Sequence, residues 1–269
     1  MTTLSRHSNP RQFRSARESH AIMVTDYDQN RIAEQYQQAK AQPWRLRTET
    51  HSFLKLIGDV KGKRVLDVAC GEGHFTRMLR AAGAAEVVGI DISERMIDLA
   101  REQEARQPLG IEYRVEDARA VVGQADFDLV VAAWLLVYAQ TRTDLVQMCR
   151  GLASRLRSGG RLVTLVNNPA VYDFDPLPDY RKYGFMLSLA DRAFEGAPTK
   201  VILLLEDSTL EIENYYMPIA AYGSALTQTG FRDFAVHTPE VSPAPDDEPG
   251  YWDEFVRYPS FVLLDSVKA

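Results

Sequence analysis

The stretch VLDVACGEG at residues 65–73 is an apolar run that ends in a glycine-rich turn. The run predicts a strand buried on both faces, and the helical spacing that follows it predicts a helix. Gly71 and Gly73 permit backbone angles closed to other residues and let a ligand approach the main chain closely. The stretch therefore predicts a strand, a ligand-binding turn and a helix start, which is the repeating unit of an α/β fold.

Strand and helix patterns alternate from Lys63 onward. Continuous Val and Leu runs are typical of strands buried on both faces of a parallel sheet. The alternation predicts a doubly wound, mostly parallel sheet with right-handed crossovers. The predicted strands occupy residues 64–69, 86–91, 111–117, 127–133, 161–167, 231–241 and 260–268.

Two helices are predicted before this sheet, and a hairpin after its fifth strand. Asp26 or Asp28 is a candidate cap for the first helix, which Pro43 ends. The second helix spans residues 48–57 and ends at Gly58. Two strand-like runs on either side of Asp207 predict an antiparallel hairpin within a segment rich in proline and aromatic residues.

The charge and composition of the chain indicate which classes of binding partner to expect. The chain has 269 residues, a net charge of −6 and two cysteines far apart in sequence. The negative charge disfavours binding to nucleic acid, and the cysteine usage indicates a reducing compartment and no structural metal. The longest apolar stretch, residues 129–139, is shorter than the roughly 20 residues that span a bilayer. We therefore expect a cytoplasmic protein that binds neither nucleic acid nor a membrane, although the arginine-containing N-terminus leaves a transit peptide open.

An acidic residue, Asp91, follows Gly71 after 20 positions, a spacing typical of nucleotide-binding sites. Asp91 ends the second predicted strand, where a carboxylate can accept hydrogen bonds from two ribose hydroxyls. A dinucleotide is disfavoured because Asp67 and Glu72 would repel a pyrophosphate, and Thr76 replaces the third glycine of the usual motif. A nucleoside ligand with a positive charge and no phosphate fits better.

Five successive motifs resemble those of class I S-adenosylmethionine-dependent methyltransferases: VLDVACGEG, VVGIDIS, VEDA, FDLVVAAWLLVYA and LRSGGRLV. The resemblance covers about residues 30–167. It implies a Rossmann-like, seven-stranded sheet with an antiparallel final strand, and S-adenosylmethionine as the cofactor. The segment YDQNRIAEQYQQAKAQPWR is similar to the lid helix of small-molecule methyltransferases from natural-product pathways, such as those of toxoflavin and teleocidin.

The resemblance also implies a division of the chain. A flexible tail (1–25) precedes N-terminal lid helices (26–60) and a cofactor-binding core (61–167). A substrate-cap insertion with the hairpin (168–217) follows, and the last segment (218–269) completes the sheet. The N-terminal arm could exchange between subunits of a homo-oligomer.

Carried over residue by residue, the resemblance implies a cofactor site. Asp67 would orient the ammonium, Asp91 the ribose, and Asp117 the adenine amino group, while Tyr36 would close over the ligand. The residues expected to bind the cofactor are Tyr27, Tyr36, Asp67, Ala69, Gly71, Gly73, Asp91, Ile92, Met96, Asp117, Ala118, Ala133, Trp134 and Tyr138.

Catalytic candidates are harder to identify, because this chain lacks the histidine that many family members carry near Val137. His237 is a candidate general base, and a structural histidine is the alternative. Glu211 lies on the predicted hairpin. It either binds a cationic or N–H-bearing substrate with its carboxylate or belongs to a solvent-exposed face. Tyr36 and Tyr216 are the aromatic candidates of the lid and the insertion.

The many aromatic residues of the insertion indicate a lid over a flat, apolar acceptor. We therefore expect methyl transfer to an aromatic or heteroaromatic small molecule, such as an indole-like natural product, at carbon or nitrogen rather than oxygen. Three alternatives stay open. They are an RNA or protein methyltransferase on the same fold, a nicotinamide-dependent oxidoreductase, and a non-catalytic cofactor-binding module.

Overall fold

The computed structural model describes residues 25–122, 125–244 and 247–269. The predicted flexible tail, apart from Thr25, lies outside the described residues. Within them, the α-helices are α1 (Asn30–Lys40), α2 (His51–Ile57), α3 (His74–Ala81), α4 (Glu94–Arg106), α5 (Arg142–Arg155), α6 (Ile219–Gln228) and α7 (Asp253–Arg257). The strands are β1 (Arg64–Val68), β2 (Glu86–Asp91), β3 (Glu112–Val115), β4 (Phe127–Ala133), β5 (Leu156–Asn167), β6 (Phe185–Leu189), β7 (Pro198–Leu204), β8 (Thr209–Tyr215), β9 (Phe231–His237) and β10 (Phe261–Lys268).

Seven of these strands form one sheet, in the order β3-β2-β1-β4-β5-β10-β9. β1 pairs in parallel with β2 and β4, whereas β10 runs antiparallel to both β5 and β9. The predicted doubly wound sheet with an antiparallel final strand is confirmed. The strand order reverses between β2 and β4 on either side of β1, which is where ligands bind in such sheets.

Helices cover both faces of this sheet because successive strand residues point to opposite sides. Leu66 and Val68 of β1 face a core that α5 and α6 complete. Val65, one residue earlier, faces a second core formed with α2 and α3. The continuous apolar runs of the sequence thus form strands that are buried on both faces of the sheet, as their composition predicts.

β6, β7 and β8 form a separate antiparallel sheet. β7 and β8 are the predicted hairpin, with Leu204 paired to Thr209 across the turn. β6 has no counterpart in the sequence-based prediction. It pairs with β7 along its whole length, from Phe185–Leu203 to Leu189–Thr199.

Several local predictions need correction. Neither Asp26 nor Asp28 caps α1, whose cap residue is Gln29, because the Asp28 carboxylate accepts a hydrogen bond from Ser93 instead. A π-helical turn (Arg45–Thr50) precedes α2. β3 ends at Val115 rather than at residue 117, and β5 begins at Leu156 rather than at residue 161.

Candidate active site

The larger of two adjoining cavities lies at the carboxyl ends of β1, β2 and β4 and measures about 350 Å³. This size is in the range of small-molecule sites, and the position is the switch point of the sheet. Twelve of the predicted cofactor-binding residues line it, namely Tyr27, Tyr36, Ala69, Gly71, Asp91, Ile92, Met96, Asp117, Ala118, Ala133, Trp134 and Tyr138. We call it the strand-end cavity.

Asp91 ties the glycine turn to the start of α4. One carboxylate oxygen accepts from the Gly71 amide at 2.9 Å, and the other accepts from the Ser93 amide at 2.9 Å. Burial raises the pKa of this carboxyl. A carboxylate has about four acceptor positions, so these bonds do not use all of its acceptor capacity.

Two non-glycine residues of the cavity wall have strained backbones. Ala69 and Trp134 have φ values of 60° and 64°. They follow β1 and β4 directly, where the chain turns away from the sheet. Such strain is typical of functional sites. The buried Trp134 Nε1 also has no hydrogen-bond partner among the described residues.

Two predicted cofactor-binding residues do not line this cavity. Asp67 lies beneath the turn, where its carboxylate accepts from the Thr76 hydroxyl at 2.7 Å. Burial raises the pKa of Asp67 to about 7. Gly73 faces the other way: a Cβ there would come within 2.4 Å of the Tyr113 hydroxyl. Both residues therefore shape the turn from behind.

The loop after β3 forms the outer wall. Asp117 lines the cavity, but its carboxylate accepts from the Arg119 side chain at 2.6 Å, which lowers the pKa of Asp117. The buried Arg155 supports the loop from below by donating to Glu116 and, at 2.6 Å, to the Ala120 carbonyl. The sequence-based analysis missed this arginine.

The N-terminal segment closes the cavity from above. The Asp28 carboxylate accepts from the Ser93 hydroxyl at 2.7 Å. The Tyr36 ring lies over Gly71, with 3.9 Å between its Cε1 and the position of a Cβ on the glycine. Thr25 accepts from the Glu213 amide at 3.1 Å and so links this segment to β8.

A second cavity, of about 40 Å³, adjoins the first. We call it the aromatic cavity. It shares Tyr27, Tyr36, Trp134 and Tyr138 with the strand-end cavity. Trp44, directly before the π-helical turn, forms one of its other walls. The end of β5 and the small sheet supply further apolar or amide side chains, namely Asn167, Phe185, Leu187, Val201, Leu203, Ile212 and Asn214.

Arg45 and Glu49, which line the aromatic cavity, form an ion triad with Lys40. Glu49 accepts from Lys40 at 3.0 Å and from Arg45 at 2.9 Å, and all three side chains are buried. Despite this burial, the two cations lower the pKa of Glu49 to about 2. The Arg45 guanidinium lies 5.4 Å from the centre of the Tyr36 ring. Glu49 therefore stays ionised near neutral pH.

Two pairs of neutral polar side chains line the aromatic cavity. The Tyr27 and Tyr138 hydroxyls are 2.7 Å apart, and Asn167 donates to Asn214 at 3.2 Å. The asparagines come from β5 and β8, which are distant in sequence, so no local motif marked them.

The four catalytic candidates are dispersed. Tyr36 lines both cavities. Tyr216 lines neither, and packs edge-on against Tyr172 at 5.0 Å. His237 lies on β9 at the sheet edge, where it contacts Asp265 at 3.1 Å, as the structural alternative expected. Glu211 is exposed on β8 and pairs with Lys200 at 3.0 Å. His237 and Glu211 are therefore not placed to act as bases at the cavities.

Within the described ranges, no group of three or more histidine, cysteine, aspartate or glutamate residues has a metal-binding arrangement. No described helix is long and apolar enough to cross a membrane.

Comparison with known proteins matches residues 65–160 to the family model described as a methyltransferase domain. An N-demethylindolmycin N-methyltransferase from Streptomyces griseus is 26% identical over 204 residues, which are 74% of this chain and 78% of that protein. A ubiquinone biosynthesis O-methyltransferase from Coxiella burnetii is 35% identical over 104 residues, which are 38% of this chain and 43% of that protein.

Solved structures share the fold. An S-adenosylmethionine-dependent methyltransferase from Clostridium acetobutylicum matches with a TM-score of 0.61 and 13% identity, over 88% of this chain and 98% of that one. Another from Mesorhizobium loti matches with a TM-score of 0.56 and 22% identity, over 86% of this chain and 98% of that one.

Proposed function

We propose that this protein, an S-adenosylmethionine-dependent methyltransferase whose residues 65–160 belong to the methyltransferase-domain family, methylates a small aromatic or heteroaromatic acceptor at nitrogen or carbon. The observation that carries the proposal is the meeting of two cavities at the side chains of Tyr27, Tyr36, Trp134 and Tyr138. One cavity has the size, glycine turn and carboxylate of a nucleoside site. The other has aromatic and aliphatic walls.

The residues of the strand-end cavity fit the cofactor. When bound, S-adenosylmethionine supplies a methyl group on a positively charged sulfur. Asp91 retains acceptor capacity for a ribose hydroxyl. Ile92, which is 65% exposed, offers an apolar surface that an adenine would cover. We assign the backbone of Ala69 and Gly71 to the methionine part, and Met96, Asp117 and Ala118 to the adenine.

Methyl transfer is an in-line displacement, so the protein has to align the acceptor with the methyl group and exclude water. The shared aromatic side chains lie where the two molecules would meet. Tyrosine and tryptophan rings attract a positive charge, so these rings would hold the sulfonium. The N-terminal segment, anchored through Asp28 and Thr25, would keep water out.

The aromatic cavity favours a nucleophile that needs little help from a base. Glu49 is its one carboxylate among the lining residues, and its oxygens are occupied by Lys40 and Arg45. With its pKa lowered to about 2, it is a poor proton acceptor near neutral pH. An electron-rich ring carbon or a nitrogen lone pair meets this condition better than a phenol, which must lose its proton.

The relatives support the same class of acceptor. The protein that resembles this chain over 74% of its length is named for N-methylation of demethylindolmycin. The relative named for O-methylation in ubiquinone biosynthesis aligns with 38% of the chain, so it carries less weight for the acceptor. The volume of about 40 Å³ has room for about three water molecules. An aromatic acceptor would therefore enter by displacing side chains of the small sheet.

The test is a methylation assay with a panel of indoles, other nitrogen heterocycles and phenols, followed by mass spectrometry of the products. We expect methylated heteroaromatic products, and their loss in Asp91→Asn. The matched control is Asp98→Asn, which changes an exposed aspartate of α4. Methylation confined to RNA or protein, reduction of NAD, or binding of S-adenosylhomocysteine without any methylated product would favour the respective alternative.

A further inference from the structure

The aromatic cavity continues into a third, smaller one of about 20 Å³, which we call the distal cavity. The two share Asn167, Leu187, Val201 and Ser260 as lining residues. Both lie along the same face of the sheet formed by β6 and β7. They are therefore neighbouring parts of one channel.

The pairing of β6 with β7 gives the order of these parts. Phe185 pairs with Leu203, and both line the aromatic cavity alone. Leu187 pairs with Val201, and both line the two cavities. A third pair, Leu189 with Thr199, lines the distal cavity alone.

Strand geometry gives the length of the channel. Alternate residues of an antiparallel strand are about 6.8 Å apart, so the channel follows roughly 14 Å of β7 from Leu203 to Thr199. A two-ring heterocycle covers only the first part of this length. A molecule that fills both cavities must carry a second group beyond the ring.

The residues that line the distal cavity indicate the chemistry of this second group. Thr199 is 7% exposed, and its hydroxyl has no hydrogen-bond partner among the described residues. A buried polar atom without a partner is costly, and a ligand oxygen would remove this cost. Apart from tyrosines, the ionisable residue among those lining the cavity is Lys200, which already pairs with Glu211 at 3.0 Å. A charged ligand group would find no free counter-ion here.

We propose that the aromatic and distal cavities form one acceptor site, and that the acceptor is bipartite: a ring near the cofactor and an uncharged carbonyl group that accepts a hydrogen bond from Thr199. This inference rests on the proposed function, because it takes the aromatic cavity as the place of the ring. It adds the length of the acceptor, the chemistry of its far end and the residue that selects it.

The experiment compares two probes in the presence of saturating S-adenosylhomocysteine. Skatole represents the ring alone, and indolepropionamide adds a chain that ends in an uncharged carbonyl. Calorimetry measures the affinity of both for the wild type, Thr199→Val and Leu189→Phe. The control is Thr209→Val, which makes the same change at an exposed position of the same sheet.

We expect the wild type to bind the amide about tenfold more tightly than skatole. Thr199→Val should weaken amide binding about fivefold and leave skatole binding unchanged. Leu189→Phe, which narrows the distal cavity, should act in the same direction, and Thr209→Val should have no effect. Because Thr199→Val removes an unpaired hydroxyl, its unfolding midpoint should not fall, which separates recognition from folding.

The experiment distinguishes failure of the bipartite acceptor from failure of the proposed function. Equal affinity for skatole and the amide, with no effect of Thr199→Val, would overturn the bipartite acceptor and leave the aromatic acceptor standing. Binding of S-adenosylhomocysteine but of neither indole probe would contradict the proposed acceptor class, and the inference with it.

Discussion

Replacing Glu49 by glutamine should destabilise the protein strongly. Glu49 is fully buried and accepts three hydrogen bonds, two from Arg45 and one from Lys40. Glutamine has nearly the same shape but no charge, so two buried cations would lose their counter-ion. This triad joins the end of α1 to the π-helical turn, beside the aromatic cavity.

The magnitude follows from two independent arguments. Removing one partner of a buried ion pair costs about 3–5 kcal/mol. The pKa of Glu49 is lowered from 4.5 to about 2, which corresponds to roughly 3 kcal/mol at about 1.4 kcal/mol per unit. Because the folded-state pKa is depressed, this stability is present above pH 4.5 and is lost as the pH falls toward 2.

Urea denaturation at neutral pH, followed by circular dichroism, measures the effect. We expect the free energy of unfolding of Glu49→Gln to fall by about 3 kcal/mol. Glu34→Gln, at an exposed position of α1, is the matched control and should stay within about 0.5 kcal/mol of the wild type. A loss below about 1 kcal/mol in Glu49→Gln would refute the assignment of a tightly coupled triad.

Three further predictions concern the cavities. Because burial raises the pKa of Asp67 to about 7, a cofactor ammonium that favours its ionised form should release a proton on binding. Calorimetry in buffers of different ionisation enthalpy should show this release near pH 6, and affinity should rise toward pH 7. Gly151→Ala should weaken both stability and cofactor binding, measured by denaturation and calorimetry, because its Cβ would come within 1.9 Å of the Ala118 carbonyl. In a double-mutant cycle of Tyr27→Phe and Tyr138→Phe, the double variant should lose less stability than the two single losses together, because each single change removes the bond between the two hydroxyls.

Each of these has a result that counts against it. Buffer-independent binding enthalpies near pH 6 would mean that Asp67 does not change its ionisation when the cofactor binds. Wild-type affinity in Gly151→Ala would show that the Ala118 carbonyl can move without consequence. Strict additivity of the two tyrosine changes would mean that the hydroxyls do not interact.

The strand-end cavity could be predicted because its sequence signals are local. Gly71 lies directly after a strand, and Asp91 ends the next one. Parallel strands bring their carboxyl ends to one edge, so local order becomes spatial proximity. Asp67 does not line the cavity, because its carboxylate accepts a hydrogen bond from Thr76 of α3 behind the turn. Its action on the cofactor ammonium stays a prediction.

The aromatic cavity could not be predicted, because pairing between distant segments creates it. Asn167 and Asn214 meet only when the small sheet packs against β5, and β6 pairs with β7 without a strong strand pattern of its own. His237 illustrates the converse error. A histidine on a late strand is a plausible base by residue type, yet the sheet order places it beside Asp265 on the outermost strand.

The most direct test of the account is product analysis after incubating the purified protein with S-adenosylmethionine and the heteroaromatic panel. The account predicts a methylated nitrogen heterocycle or indole, formed together with S-adenosylhomocysteine and absent with Asp91→Asn. Methylation of phenols alone would contradict the base-free aromatic cavity. Turnover of none of the small molecules, despite tight binding of S-adenosylhomocysteine, would contradict the proposed acceptor class.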